Sequence, residues 1–201
     1  KTAGNFDSTR FPLVHKRLTK MDANTMFHAL RRNSDHLEPH YFWGKEAATI
    51  DLFQANSYCE MRSNKHDQRE TYIFKVGNVF VGEGSLAPIG GVPNHVQVAL
   101  WVDKFWQGKG VATKIVETLM TIAFEKRGYA HVYYTHDCEN RVSGKIPQRL
   151  GYDYHCHQEH DEKVSPSDSG LWLCWCIDKY QYTTMRDKDD SVLLSRSGRK
   201  G

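Results

Sequence analysis

The sequence predicts an α/β fold in which a central mixed sheet carries helices on both faces. The apolar run Val96–Val102 has the composition of a buried strand. The segment that follows, Val111–Glu125, repeats its apolar residues at the helical period and predicts a strong amphipathic helix. Gly77-Asn78 separates two alternating segments and predicts a tight hairpin turn. Since a sheet must bury its apolar faces, this mixture of elements indicates helices packed on both sides.

The first half of the chain is predicted to contain three strands and two helices. Asp22 is a suitable N-cap for the first helix, and Asn33–Trp43 is predicted to be a loop or a short further helix. The elements are a strand at Phe11–Leu18, helices at about Ala23–Arg32 and Lys45–Met61, and strands at Thr71–Val76 and Val79–Leu86.

After the central strand and helix, the second half is predicted to add three strands and one helix. These elements are a strand at His131–Asp137, a helix at about Val142–Leu150, and strands at Tyr152–Glu159 and Leu171–Tyr180. We expect a single domain over residues 11–185, preceded by a flexible arm at 1–10 and followed by a disordered tail at 186–201.

Bulk composition excludes several classes of function. The net charge of +3 is mildly basic, but without a concentrated basic stripe it does not indicate nucleic-acid binding. The apolar runs are much shorter than a membrane-spanning helix, so no membrane association is expected. The five cysteines are odd in number and lack framework spacing, which favours reduced thiols and a cytoplasmic location.

The loop Gln107–Ala112 lies between the central strand and the long helix. Free backbone N–H groups and the positive end of the helix dipole make such a position an anion site. Gly108 and Gly110 have no Cβ and would let a bulky ligand approach the backbone closely. The loop is neither a Walker A sequence nor Gly-x-Gly-x-x-Gly.

Two motifs together resemble a known family. The loop fits Gln/Arg-x-x-Gly-x-Gly/Ala, the pyrophosphate loop of the GNAT acetyltransferases. Asn140-Arg-Val-Ser143 followed by Ile146–Tyr152 resembles the Asn-x-x-Ser and Ile-Pro-Glu-Arg-Leu-Gly-Phe stretches of its RimL-like branch, the ribosomal-protein serine/alanine N-acetyltransferases. Asn33–Leu37 with Trp43 is similar to a third segment of that branch, so the resemblance covers roughly residues 13–185.

The resemblance implies the GNAT fold and acetyl-CoA as cosubstrate. In that fold the central strand and the one beside it part at one end, and CoA lies between them. The pantetheine arm would pair with the central strand, the loop amides would bind the pyrophosphate, and Asn140 would contact pantetheine or hold the strands apart. The implied cofactor-binding residues are Leu100, Trp101, Val102, Gln107, Gly108, Lys109, Gly110, Val111, Ala112 and Asn140.

The implied chemistry is attack of an amine on a thioester. It needs a neutral amine, a stabilised oxyanion and a proton for the departing thiolate. A backbone N–H near Val102 could serve the oxyanion. Ser143 is the candidate proton donor because it matches the serine given that role in the RimL-like branch, although a polar residue in the first turn of a helix is an equally good interpretation. Pro147 stands where many GNAT enzymes have a tyrosine acid.

The general base is less well defined. RimL-like relatives often carry a glutamate on the central strand where this chain has Gln97, and an amide cannot take up a proton. Glu70 is the first candidate base, with Glu83 and His95 as alternatives. A chain of water molecules leading to bulk solvent could replace them all.

Two other binding functions are less well supported. Cys156-His157 lies near His160, and Cys174-x-Cys176 forms a pair. However, residues two apart on a strand lack the turn of a zinc knuckle, so buried thiols are favoured and no metal is predicted. Aromatic residues such as Trp101 and Trp175 could stack on nucleic-acid bases, but they lie on predicted core strands.

The alternative function is a degenerate GNAT domain that binds CoA or a partner without catalysis, and Gln97 is its only support. For the enzyme, the resemblance implies a protein N-terminal α-amine or a small amine as acceptor, and a monomer or homodimer. The acceptor would lie between Asn33–Met61 and Asp161–Gly170. Acidic and aromatic side chains in both segments suit a cationic amine; they are Asp35, Glu38, Tyr41, Trp43, Glu162 and Asp168.

Overall fold

Seven strands form one mixed sheet in a computed structural model that describes residues 12–64 and 68–187. They are β1 (Leu13–Arg17), β2 (Glu70–Val76), β3 (Val79–Pro88), β4 (His95–Val102), β5 (His131–Asp137), β6 (Asp153–Glu159) and β7 (Leu171–Asp178). Their order across the sheet is β1-β2-β3-β4-β5-β7-β6. β4 and β5 run parallel, and the other neighbouring strands are antiparallel.

Helices cover both faces of the sheet. They are α1 (Ala23–Leu37), α2 (Leu52–Arg62), α3 (Val111–Thr121), which continues as a π-helical turn at Ile122–Lys126, α4 (Arg141–Arg149) and a final helix, α5, at residues 179–187. The apolar face of α3 packs on one side of the sheet, and α1 packs on the other. The predicted fold class, a mixed sheet between two helical layers, is confirmed.

The helix predicted from Lys45 begins later, at Leu52. Asp51 is its N-cap: Gln54 N–H donates to Asp51 Oδ1 at 2.7 Å, and Asp51 N–H donates back to Gln54 Oε1 at 2.9 Å. This reciprocal pair satisfies two backbone donors and fixes the start of the helix. The preceding residues form short 3-10 turns at Phe42–Gly44 and Glu46–Ala48 instead.

The chain after β7 differs from the prediction. The strand ends at Asp178, and residues 179–187 are helical. Tyr182 of this helix is buried and stacks on Phe124 with ring centroids 4.7 Å apart. The predicted domain boundary at residue 185 therefore falls inside a packed helix. The predicted arm at 1–10 and tail residues beyond 187 lie outside the described residues.

Candidate functional site

The parallel pair at the centre of the sheet is short. β4 and β5 are in register from His95 with His131 to Val98 with Tyr134. Beyond that point β4 still pairs with β3, and β5 still pairs with β7. The two central strands therefore part, and we call the space between Ala99–Val102 and residues 135–137 the β4–β5 cleft.

The backbone of β4 presents alternate residues to this cleft. Asp103 N–H donates to Val81 O at 2.9 Å and continues the ladder between β3 and β4. Bonded and non-bonded positions alternate along an antiparallel ladder, so the backbone of Trp101 also faces β3, whereas those of Leu100 and Val102 face the cleft. The Trp101 side chain is buried as well. This corrects the expectation for Trp101, whose backbone cannot pair with a ligand in the cleft.

The glycine loop lies at the end of β4 that adjoins the cleft. Gly108 has φ +67° and Gly110 has φ +82°, values that side-chain-bearing residues rarely adopt. Gly110 is the N-cap of α3, and its carbonyl accepts from Lys114 N–H at 3.1 Å. The amides ahead of Lys114 in the helix, including those of Val111 and Ala112, therefore have no intrahelical acceptor. The loop combines these free amides with the positive end of the α3 dipole.

Two side chains of the loop contact neighbouring residues. The Lys109 ammonium lies 5.1 Å from the centroid of the Trp106 ring, a distance suited to a cation–π contact. Gln107 Nε2 lies 2.5 Å from Nε2 of His36 in α1. Burial is the main cause that lowers the pKa of His36, with a further contribution from the nearby His40.

A buried carboxylate anchors the turn between β4 and the loop. Asp103 accepts hydrogen bonds from Arg32 at 2.5 Å and from the Asn33 amide at 2.9 Å, while Phe105 N–H donates to its other oxygen at 3.1 Å. Asn33 in turn accepts from Lys104 N–H at 2.7 Å. These contacts join α1 to the turn and fix the loop relative to the cleft. No motif along the chain predicts this anchor, although the segment that begins at Asn33 is similar to one of the RimL-like branch.

The first turn of α4 lies on the β5 side of the cleft. Asn140 is the N-cap of this helix, and its Oδ1 accepts from Ser143 N–H at 3.1 Å. The hydroxyl of Ser143 shares a hydrogen bond of 2.7 Å with the hydroxyl of Tyr134, the last residue of β5 in register with β4. Burial raises the pKa of Tyr134 to about 12, and the bond with Ser143 acts in the opposite direction. Asn140 and Ser143 are thus brought together at the point where the strands part.

Glu70 lies at the opposite end of the α3 helical stretch from the Gln107–Ala112 loop. Its carboxylate accepts from Arg127 at 2.7 and 3.0 Å and from the Tyr72 hydroxyl. Arg127 directly follows the π-helical turn, whereas Gly110 precedes α3. At about 1.5 Å per residue, the helical stretch from Val111 to Lys126 is about 24 Å long. The structure therefore does not bring the predicted base together with the loop, and we do not propose Glu70 as a catalytic residue.

The contacts of Glu70 have a consequence for stability. Burial alone would raise its pKa, but the bonds from Arg127 and Tyr72 and the charges of Arg127 and Arg17 together hold the pKa below its usual value. A carboxyl group with a lowered pKa stabilises the fold above its unfolded pKa, near 4.3, and this stabilisation is lost as the pH falls through the folded value.

Glu70→Gln should therefore lower the free energy of unfolding at pH 7 by on the order of 0.5–1 kcal/mol, a modest loss because the pair is partly solvated. Urea unfolding at pH 7 and at about pH 3 measures the difference, which should vanish at the lower pH. Glu117→Gln, which removes an exposed partner of Lys114, is the control and should change little at either pH. An equal loss for Glu70→Gln at both values would contradict the assignment.

The two alternative bases are also engaged elsewhere. Glu83 is buried on the α1–α2 face and accepts from Arg62 at 2.6 Å and from the Tyr58 hydroxyl at 2.9 Å. His95 begins β4, at the end of the strand opposite the loop, and packs on His131 with ring centroids 4.3 Å apart. Gln97 donates to the Thr135 hydroxyl at 2.5 Å and links β4 to β5.

Comparison with known proteins agrees with this geometry. The family described as Acetyltransferase (GNAT) domain matches residues 13–153, a range that runs from β1 to the first residue of β6. The chain belongs to the GNAT family. The match includes the cleft, the Gln107–Ala112 loop and Asn140, so the resemblance noted in the sequence is confirmed at the level of the family.

Individual relatives of this GNAT chain are distant. YdaF of Bacillus subtilis (strain 168), provisionally named a ribosomal N-acetyltransferase, is 23% identical over 137 residues, which cover 67% of this chain and 74% of YdaF. The solved structure of RimL, a ribosomal L7/L12 α-N-protein acetyltransferase in complex with CoA, has a TM-score of 0.73 at 14% identity, covering 83% of this chain and 93% of RimL. Mycobacterium smegmatis RimJ has a TM-score of 0.71 at 16% identity, covering 83% and 81%.

The α1–α2 side of the GNAT cleft carries aromatic side chains. Ala99 is exposed although it lies in the central strand, so the sheet is open to solvent there. The Tyr41 hydroxyl donates to Leu100 O at 3.4 Å, and its ring stacks on Trp43 with centroids 4.7 Å apart. Across the cleft, the Ser167 N–H and hydroxyl both donate to Pro39 O, at 2.9 and 2.6 Å. The loop between β6 and β7 is thus tied to the end of α1.

Two of the acidic residues predicted to attract a cationic amine are already engaged. Asp35 accepts from the Lys104 ammonium at 3.0 Å. Asp168 is buried and accepts from Val164 N–H at 2.7 Å and from Gly170 N–H at 3.0 Å, so it shapes the loop between β6 and β7. The buried Asp168 is therefore not available to the acceptor, whereas the exposed Asp35 carboxylate is shared with Lys104.

All five cysteines are free thiols. Within residues 12–64 and 68–187, no three histidine, cysteine or acidic side chains are grouped closely enough to hold a metal ion. Cys174 is buried on β7 beside Cys156, and burial is the main cause that raises its pKa to about 12. A neutral thiol is a poor metal ligand and a poor nucleophile. No helix in the same ranges has the length and apolar character needed to cross a membrane.

Proposed function

We propose that this GNAT chain transfers the acetyl group of acetyl-CoA to a primary amine by direct attack in a ternary complex. The observation that carries the proposal is the β4–β5 cleft, where the backbones of Leu100 and Val102 face away from β3 and are not paired with β5, next to the Gln107–Ala112 loop. A thin amide-containing arm can pair with such an edge like an added strand. Its pyrophosphate can bind the free amides at the start of α3.

The roles of the remaining residues follow from their positions. Val102 N–H faces the cleft and can donate to the thioester oxygen as negative charge develops there. The Ser143 hydroxyl, at the first turn of α4, is the proposed proton donor to the departing thiolate. The proposed cofactor-binding residues are Leu100, Val102, Gln107, Gly108, Lys109, Gly110, Val111, Ala112 and Asn140.

We propose a protein N-terminal α-amine as the acceptor, within the wider class of primary amines. RimL is named as a ribosomal L7/L12 α-N-protein acetyltransferase, that is, an enzyme of protein α-amines. The name of YdaF likewise refers to ribosomal N-acetylation. Because Glu70 and Glu83 are held in ion pairs, an acceptor that is partly neutral at pH 7 is the better substrate. An α-amine has a pKa near 8, whereas a lysine ε-amine has one near 10.4.

The pH dependence of the rate tests this acceptor class. We expect the apparent pKa of kcat/KM to follow the acceptor, near about 8 for a peptide α-amine and near about 10 for a lysine ε-amine, because only the neutral amine attacks. The measurement is a pH–rate series with two peptides, one with a free N-terminus and no lysine, and one with a blocked N-terminus and a single lysine.

Glu70→Gln is the matched control in that series, and its profile should coincide with that of the unmodified enzyme. An apparent pKa that stays the same for both peptides would point to a base on the enzyme. A higher kcat/KM for the lysine peptide at pH 7 would contradict the α-amine proposal.

The second candidate is a GNAT domain that binds CoA without catalysis. Gln97 favours it, because this amide stands on the central strand where a carboxylate base would be useful and is bonded to Thr135. Mass spectrometry of a peptide panel incubated with labelled acetyl-CoA separates the two functions. Label transfer to any acceptor supports the enzyme, whereas binding of acetyl-CoA without transfer supports the binding domain.

The extent of the domain is also a proposal. We propose that one GNAT domain begins near residue 11 and continues through α5 to residue 187, beyond the boundary of 185 expected from the sequence. Tyr182 in α5 supports this extension, because its hydroxyl donates to Glu125 at 2.7 Å and its ring packs on Phe124 beside α3.

A further inference from the structure

Tyr134 contacts the proposed proton donor. Its hydroxyl lies 2.7 Å from Ser143 Oγ, and its position in β5 is the last one in register with β4, opposite Val98. The Tyr134 side chain is 3% exposed, whereas Ser143 is half-buried. A buried phenol thus supports the serine from the side of the protein core.

The chemistry of the two hydroxyls sets the direction of their hydrogen bond. A phenol is far more acidic than an aliphatic alcohol, so it is the better donor and the poorer acceptor. Burial favours its neutral form, which keeps the hydrogen available. On this chemical ground we assign Tyr134 as the donor and Ser143 Oγ as the acceptor. If Ser143 donated instead, the buried phenol hydrogen would lose the acceptor that the structure provides, which is unfavourable.

The backbone of Ser143 is also fixed, because its N–H donates to Asn140 Oδ1 at 3.1 Å. With the N–H bound and one lone pair of Oγ occupied by Tyr134, the hydroxyl hydrogen of Ser143 is left to point elsewhere. The pairing of β4 with β5 ends at Tyr134, so the β4–β5 cleft begins beside the residue that Ser143 contacts.

We propose that Tyr134 is a positioning residue that turns the hydroxyl hydrogen of Ser143 toward the thioester sulfur of acetyl-CoA. This inference rests on the function proposed above. When the tetrahedral intermediate collapses, the carbon–sulfur bond breaks and the sulfur keeps the electron pair. Sulfur takes the hydrogen of Ser143, and the proton released by the amine nitrogen restores the Ser143 hydroxyl through water. Tyr134 keeps its own hydrogen throughout.

Tyr152 provides a matched control. Its ring lies 6.3 Å from that of Tyr134 at an interplanar angle of 73°, and it is buried to a similar degree. Within the described part of the chain its hydroxyl has no hydrogen-bond partner. Tyr152→Phe therefore removes a buried phenolic oxygen from the same core without removing a bond to Ser143.

The experiment is a double-mutant cycle with acetyl-CoA and an acceptor peptide, measuring kcat, KM and the dissociation constant of acetyl-CoA. Tyr134→Phe should lower kcat on the order of tenfold and leave acetyl-CoA binding unchanged, because it acts on the chemical step alone. In a Ser143→Ala background the same change should have no further effect, since the group that it positions is gone. Tyr152→Phe should retain the kcat of the unmodified enzyme.

Three results would overturn the proposal. An equal loss of kcat from Tyr134→Phe in both backgrounds would mean that it acts independently of Ser143. A similar loss from Tyr152→Phe would indicate disturbed core packing, and an unchanged kcat for Tyr134→Phe would remove any role in the reaction. Failure of the proposed function would give a different result from these three. The unmodified protein would then bind acetyl-CoA without transferring the acetyl group, and both proposals would be wrong.

Discussion

Gly110→Asp should weaken the binding of acetyl-CoA by about 100-fold or more, equivalent to about 2.7 kcal/mol. We expect the unmodified protein to bind acetyl-CoA with micromolar affinity through the Gln107–Ala112 loop. Two effects of the substitution add. A carboxylate would stand next to the pyrophosphate at the start of α3, and a residue with a Cβ would have to adopt φ +82°. Isothermal titration calorimetry with acetyl-CoA measures the change directly.

Gly77→Asp is the control for that experiment. Gly77 also has a positive φ, +57°, and a Cβ added there would meet nothing within 4 Å, as at Gly110. Gly77 lies in the hairpin between β2 and β3. The substitution Gly77→Asp therefore introduces the same charge and a comparable backbone penalty away from the Gln107–Ala112 loop. Gly77→Asp should bind acetyl-CoA as the unmodified protein does. Unchanged binding by a folded Gly110→Asp variant would show that the loop is not the pyrophosphate site.

Most elements of the fold were predictable because their signals are local. His131–Asp137 was predicted with the bounds that the structure has, and the helix starting at Val111 was recognised by its apolar period. The start of α2 was missed although its signal is also local: Asp51 and Gln54 form a capping box three residues apart. The helix at 179–187 was missed too, although its start has the same kind of local signal: Asp178 and Gln181 exchange backbone-to-side-chain hydrogen bonds of 2.8 and 2.9 Å.

The site was predictable where its residues form motifs along the chain. The glycine loop and the pair Asn140 and Ser143 are such motifs, and the structure places both beside one cleft. The anchor formed by Asn33 and Asp103 joins residues 70 positions apart, and no short motif reports such a contact. The sequence alone did not single out Tyr134 within the predicted strand His131–Asp137, because its bond to Ser143 depends on how α4 packs on β5.

The expectation that Glu70 is the general base is not carried into the proposal, for a geometric reason. A carboxylate at the start of a strand was taken to be within reach of the cleft, but reach depends on which end and which face of the sheet the residue occupies. Glu70 lies opposite Leu86 and faces the C-terminal end of the α3 helical stretch, where Arg127 pairs with it. The alternation of side chains along a strand predicts which face of the sheet each residue occupies. It does not predict which residues of other elements pack against that face.

Ser143→Ala should lower kcat by about tenfold to thousandfold and leave the dissociation constant of acetyl-CoA nearly unchanged. Loss of a general acid acts on the step in which the carbon–sulfur bond breaks, and such groups typically contribute about 10²–10⁴-fold. The serine is only half-buried, so its removal should not disturb the core. Asn140 would still cap α4, since it accepts from the backbone N–H of residue 143 and not from the side chain. Steady-state rates with saturating peptide, together with calorimetry, separate the chemical step from binding.

Ser143→Thr is the informative companion, because it keeps a hydroxyl at the same position. It should retain much more activity than Ser143→Ala if the hydroxyl donates a proton to the sulfur. If Ser143 were only a polar residue of the first turn of α4, both variants would turn over acetyl-CoA at the rate of the unmodified enzyme. A loss of acetyl-CoA affinity that matches the loss of kcat/KM would instead assign Ser143 to cofactor binding, and the proton for the thiolate would then have to come from solvent in the cleft.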